Sequence, residues 1–355
     1  MKTLIISHRF NPGHLSHITA FDSLMLDVGT DVFLRINRQF AFKPRKHICL
    51  LDFLFCKKFD IVIILFPSIL AFLEALFLKF LTRSSIVYIY HEPLGDFQSY
   101  KKAGFSSFKT IIIYLKGFVS FLIAKLSDRL FFPSNNSYNQ FLANSTGYPA
   151  KNISLVNLLF NDESEGELET KFLGREYISY IGTIAEDHAF DEFLRFALYA
   201  LDHNWFKKYK FLIATKSHIS NDQLQGLGKF IEAGRLHIQS GQPLSNQNIN
   251  LFYKNSLVVW NAYRRSMQSG VLPKAYMFGT PIIVSSANIS EFFDDYIHGV
   301  IVSDKYLVQE IKLAIEDVIT NFEYYSSNCR IKFLTTFHYK AYEKKISNIL
   351  ILRNH

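Results

Sequence analysis

Cysteine is scarce and unpaired in this sequence: Cys49, Cys56 and Cys329 are the only three, no two form a CxxC spacing, and one is left over. A disulfide framework and a thiolate zinc site are therefore excluded, and a reducing compartment is expected. Charge is sparse as well, at 20% against 49% hydrophobic residues, which rules out a disordered or fibrous chain. A GxxxxGK phosphate loop, a GxSxG nucleophile elbow and a GxGxxG turn after the first strand are all missing, against nucleotidase, hydrolase and nicotinamide readings. No group of residues has metal-ligand spacing. Zinc-finger spacing, an RNP-like segment and a basic helix with regular arginines are also absent, so no nucleic-acid partner is expected.

An uninterrupted apolar run of membrane-spanning length is lacking too. Residues 60 to 81 are broken by Pro67-Ser68 and carry Glu74 and Lys79, which predicts a buried strand followed by a buried helix. Residues 110 to 126 fall short of the ~20 that a span needs and contain Lys116 and Lys125, which predicts a buried or membrane-apposed helix. The opening Met1–Ser7 holds one lysine and a strand-length apolar run, too short for a signal peptide, so a cytoplasmic protein is expected.

What is present is core material for two domains, since 355 residues exceed what one hydrophobic core usually serves. Strand-like runs alternate with helix-period segments throughout, the pattern of parallel sheets wrapped by helices. Strands are predicted at 3–7, 31–36, 60–66, 85–90 and 129–133, then at 177–182, 209–214, 235–239, 256–260, 281–285 and 299–302. Phe190, Phe193, Leu194, Ala197, Leu198 and Leu201 share one helical face. The acidic stretch 161 to 169 marks a linker, giving domains 1–160 and 161–334, with a helix in 335–355 expected to return to the first domain. Residues 1 to 160 hold 18 Lys and Arg against 9 Asp and Glu, so the net charge of +8 belongs to the first half. Tandem doubly wound domains place a site in a cleft at the carboxyl ends of their strands.

The stretch NAYRRSMQSGVLPKAYMFGTPIIV, residues 261 to 284, resembles the donor-site signature of group 1 (family 4-like) glycosyltransferases, in which a glycine turn leads into a helix, a Gly-x-Pro turn and a strand. Residues 285 to 302 continue that pattern, with Glu291 before a short helix and Gly299 opening a strand. The resemblance departs where the family carries two glutamates with seven residues between them: Ser266 and Lys274 stand there. It implies the α/β GT-B architecture, two tandem Rossmann-like domains with an interdomain cleft, and transfer of a sugar from a nucleotide-diphosphate-sugar donor to a saccharide or lipid-linked acceptor. Retention of configuration, independence of metal and of any cofactor, and a place in surface-polysaccharide assembly come with it.

By the same resemblance Gln268, Ser269, Gly270 and Val271 would contact the donor, and Lys274 would meet phosphate. Tyr263, Arg264 and Arg265 would lie beside the diphosphate, with the arginines neutralising the leaving group. Gly182, Thr183, His188, Lys216 and Glu291 complete the donor side in the second domain, and Gly13 and His14 close over it from the first. His91 and Glu92, at the end of the 85–90 strand, are the expected catalytic or acceptor-orienting pair. The basic first half suits peripheral contact with an anionic membrane, on its inner face. Two alternatives stand beside this reading: a GT-B nucleotide-sugar epimerase, and a non-catalytic GT-B scaffold that lost its glutamates.

Overall fold

The computed structural model describes residues 1–9, 12–37, 46–48, 58–91, 97–102, 104–144, 152–164, 174–220, 224, 226–265 and 269–350. It divides into two compact units: residues 1–101, 106–161 and 336–355 form the first, and 102–105 with 162–335 form the second.

The first unit is built on a six-stranded parallel sheet of β1 (Lys2–Ser7), β2 (Asp31–Ile36), β3 (Ile61–Ile64), β4 (Ser85–Ile89), β5 (Arg129–Phe132) and β6 (Ile153–Leu155), in the order β2-β1-β3-β4-β5-β6. The strands are Val, Ile and Phe runs because both faces are covered. On one face Ile5, Ile63 and Val87 meet the helices Leu15–Asp27 and Glu343–Leu350; on the other Leu4, Val62 and Tyr88 meet Ile69–Phe77 and Ser107–Leu126. Pro67-Ser68, read from sequence as a break, is where the first of those last two helices starts: Ser68 Oγ accepts from the Ala71 N–H at 3.0 Å, a serine N-cap.

That helix corrects an expectation. It was predicted to be buried, yet Ile69, Leu70 and Leu73 are exposed, while Glu74 is turned inward at 3% exposure. Glu74 accepts from Arg35 Nε at 2.6 Å and bonds His8 Nε2 at 2.7 Å, so the acid is solvated by the protein.

The second unit repeats the plan with β7 (Tyr177–Ile181), β8 (Lys210–Ala214), β9 (Leu236–Gln239), β10 (Ser256–Asn261), β11 (Ile282–Ser285) and β12 (Gly299–Val302), ordered β12-β11-β10-β7-β8-β9, all parallel. The helix Phe190–Asp202 buries the face its periodicity predicted, packing Phe193 and Ala197 with Val258 and Trp260. Asp162 and Glu163 of the expected linker belong to this unit, Asp162 pairing with Arg330; residues 165–169 lie outside the described ones. The short helix expected after Glu291 is replaced by turns, because Tyr296 takes the left-handed conformation (φ +56°) and His298 N–H bonds back to the Asp294 carbonyl.

Candidate functional site

In each sheet the strand order reverses once, and open α/β sheets bind ligands at such a point, outside the carboxyl ends of the strands. In the second unit the reversal falls between β7 and β10, so the loops after these two strands form one site. Gly182 and Thr183 leave β7, and Tyr263, Arg264 and Arg265 follow β10. The His188 ring stacks on Tyr263 with centroids 4.5 Å apart and planes 12° apart, and His188 Nδ1 donates to the Thr183 carbonyl at 2.5 Å. Tyr263 Oη lies 3.4 Å from Ser269 Oγ, which in turn accepts from the Val271 N–H at 3.1 Å. Burial, reinforced by the Asp187 carboxylate and offset by the Ser269 contact, pushes the Tyr263 phenol up to about 12, so it stays a donor at neutral pH.

Gly182 sits against Val271: a Cβ on it would meet Val271 Cγ2 at 3.9 Å. Lys216, exposed, follows β8, and Glu291, also exposed, follows the turn Ser286–Asn288 after β11. They share the carboxyl edge with the central cluster. Gln268 and Glu92 lie outside the described residues.

The cations expected to meet phosphate are held differently. Arg264 reaches Asp191 at 2.6 Å and the Glu186 carbonyl at 2.9 Å, and Arg265 Nε donates to Asp187 Oδ2 at 2.8 Å. Asp187 of the β7 loop and Asp191 in the first turn of the next helix therefore already pair with both guanidiniums. Lys274 was expected to meet phosphate. It is 6% exposed, and its ammonium bonds Glu163 at 2.7 Å and Asn250 Oδ1 at 2.8 Å. Burial lowers its pKa and the Glu163 charge opposes the shift, as in a buried structural ion pair. Sequence reasoning missed Asp187 and Glu163, whose partners lie 78 and 111 positions away.

The glycines also sort by cause. Gly279 has φ +59°, and a Cβ there would lie 2.6 Å from Ser326 Oγ, so the turn and the packing demand glycine. Gly270 has φ −66°, and a Cβ there would meet nothing within 4 Å among the described residues. Neither backbone conformation nor packing requires glycine at 270; a ligand approaching the backbone would. The helix that follows, Val271–Met277, is only seven residues long.

In the first unit the strand order reverses between β1 and β3. Gly13 and His14 lie in the turn Pro12–His14, and His14 stacks on Phe66 (centroids 3.5 Å, 8°), which stacks on His91 (4.7 Å, 7°). His91 thus stands at the carboxyl end of β4 in a three-ring stack. His14 Nδ1 and His91 Nε2 are buried and have no hydrogen-bond partner among the described residues. Burial first, then the neighbouring His17, lowers both pKa values, His14 to about 2 and His91 to about 3; His91 and Arg9 add to the effect on His14, and bonds to the Arg9 and Leu65 backbone oppose it. Both rings are neutral at physiological pH. Among the described residues no three of His, Cys, Asp and Glu gather as a metal site.

Two tandem Rossmann-like units, each with loops converging at its own switch point, have the architecture called GT-B. No protein-family model and no curated protein matches this sequence. Among solved structures, Anabaena Alr3699/HepE in complex with UDP-glucose is similar over 99% of both chains, at 13% identity and TM-score 0.68. WaaG, a glycosyltransferase involved in lipopolysaccharide biosynthesis, is similar over 99% of this chain and 100% of its own, at 11% identity and TM-score 0.66. The S. aureus MnaA–UDP structure follows at 13% identity and TM-score 0.61, over 99% and 96%. Likeness at this level of identity establishes the shared fold.

Proposed function

We propose that this protein is a glycosyltransferase that takes a sugar from a nucleoside-diphosphate sugar and passes it to a saccharide or lipid-linked saccharide in surface-polysaccharide assembly. The observation that carries the reading is Gly270. It is a glycine that neither its φ nor the described residues around it require, beside a buried tyrosine donor, at the switch point where folds of this kind hold phosphates. Similar structures hold UDP-glucose and UDP. In this reading Thr183, Tyr263, Ser269 and the backbone around Gly270 bind the diphosphate, and hydrogen-bond donors replace the usual cations in stabilising the leaving group. The neutral His91, with an imidazole nitrogen unpaired among the described residues, orients the acceptor or transferred sugar in the first unit. The reaction retains configuration and uses no metal or other cofactor.

One observation favours a second reading. Arg264, Arg265 and Lys274 are all paired with carboxylates, which suits a GT-B scaffold that has given up nucleotide binding.

The test is thermal stabilisation by UDP, GDP, ADP and CMP. A nucleotide present at 100 times its Kd should raise stability by about 2.7 kcal/mol. Gly270→Ala should change the stability of the free protein by no more than about 1 kcal/mol while weakening the nucleotide shift, and Gly270→Trp should abolish the shift. Absence of a shift with all four nucleotides would select the scaffold reading.

A further inference from the structure

The first unit carries two helices that pack small and apolar side chains on the sheet and keep a second apolar stripe exposed on the opposite side. Along Ser107–Leu126 the side chains turned toward the sheet include Thr110, Ser120 and Ala124. The outward stripe is Phe108, Ile111, Leu115 and Phe118, at helical spacing and 53 to 72% exposed. The helix Ile69–Phe77 does the same: Ala71, Glu74 and Ala75 face in, while Ile69, Leu73 and Leu76 face out. The turn Leu78–Thr82 adds Phe80 and Leu81, both about two-thirds exposed. The two helices lie against each other and feed one core on one face of the sheet, so their outward stripes look the same way. Together they make one apolar surface, larger than the single exposed side chains any soluble protein carries.

Charge says what covers it. Between Phe97 and Leu126 the sequence holds Lys101, Lys102, Lys109, Lys116 and Lys125 and neither Asp nor Glu. Lys79, Arg83 and Arg129 line a cleft of about 490 Å³ beside the turn bearing Phe80 and Leu81; Asp128, its one acid, pairs with Lys79. Glu74, the acid of the neighbouring helix, is turned inward onto Arg35. An apolar face with a cationic rim complements the acyl boundary and anionic headgroups of a bilayer.

We infer that this face seats the protein on an anionic lipid bilayer, with the two helices lying in the interface. The helix Ser107–Leu126 runs 20 residues, longer than the apolar run 110–126 read from the sequence, and is long and apolar enough to cross a membrane. Ile123 and Ala124 are nevertheless core residues of the first unit, so the helix lies on the bilayer and does not cross it. The inference is independent of the donor or acceptor the protein uses.

Flotation of the full chain with vesicles tests it. Phosphatidylcholine vesicles containing about 30% phosphatidylglycerol should carry the protein at low salt, and neutral vesicles should carry at least ~10-fold less. Leu115→Ser with Phe118→Ser should reduce binding ~10-fold or more at any salt. Lys101→Gln with Lys102→Gln and Lys109→Gln should weaken binding to anionic vesicles and flatten its salt dependence. Leu313→Ser, at an equally exposed apolar position in the second unit, should change nothing. The inference is overturned if anionic vesicles carry none of the protein, or if the Leu115/Phe118 variant binds like the parent. It is overturned too if that variant only abolishes self-association in sedimentation while vesicle binding is absent, which would make the face an interface between copies.

Discussion

Gly299→Ala should cost the second unit about 4 kcal/mol or more, the largest loss expected from removing no side chain at all. Gly299 opens β12 with φ +149°, paired with Ile282 of β11, and a Cβ there would overlap the Ile282 carbonyl oxygen and lie 2.8 Å from its carbon. The clash is with backbone, so no rotamer relieves it. Either β12 withdraws and uncovers Val300 and Val302, or the β11 chain is displaced. Both tryptophans, Trp205 and Trp260, pack in this unit, so indole fluorescence during urea unfolding reads it alone. Gly270→Ala is the matched control, with an open Cβ position and an ordinary φ. A Gly299→Ala midpoint equal to the parent's would mean that the close approach of β11 and β12 does not exist in solution.

The same contrast shows how far the sequence is legible. All eleven predicted strands are present, because residues buried on both faces must be apolar and turns must punctuate them. The strand that escaped, β6, is three residues of intermediate burial at the sheet edge, where little selects a pattern. The helix at 69–77 was legible as a helix but placed wrongly. Periodicity shows which residues share a face, and only the fold shows that Ala71 and Glu74 face in while Ile69 and Leu73 face out.

At the site, the loops were legible from the resemblance, and the structure gathers Gly182, Thr183, His188, Tyr263, Ser269 and Gly270 at one switch point. The electrostatics were not. A lysine at a motif position looks available until its carboxylate, 111 residues away, is seen on it. Pairing between distant residues leaves no local trace in composition or spacing. The stack of His14, Phe66 and His91 joins three separate loops and was equally hidden.

That stack should make the first unit acid-labile well above the carboxylate range. In the unfolded chain each imidazole protonates near pH 6.5; in the folded chain His14 resists protonation to about 2 and His91 to about 3. Between those limits the unfolded chain binds more protons, so stability is full above pH 6.5 and falls as pH falls. Allowing for the partial exposure of both rings, the pair should cost about 3 kcal/mol between pH 7 and pH 5. Carboxylates with depressed pKa values, Asp31, Asp162 and Glu176, lose their contribution only below about pH 4, outside this window. The second unit has a smaller counterpart in His298, lowered to about 4 by burial and Lys332 against the pull of Asp294. Urea unfolding followed by circular dichroism should therefore lose more stability than indole fluorescence reports over the same pH change. His14→Phe keeps an aromatic ring on Phe66 and removes both the titration and a buried nitrogen that has no partner among the described residues. At pH 5 it should restore about 1.5 kcal/mol to the first unit, with little change at pH 7. If His14→Phe lost stability in parallel with the parent from pH 7 to pH 5, the stacked imidazole would not be the group whose protonation the fold resists.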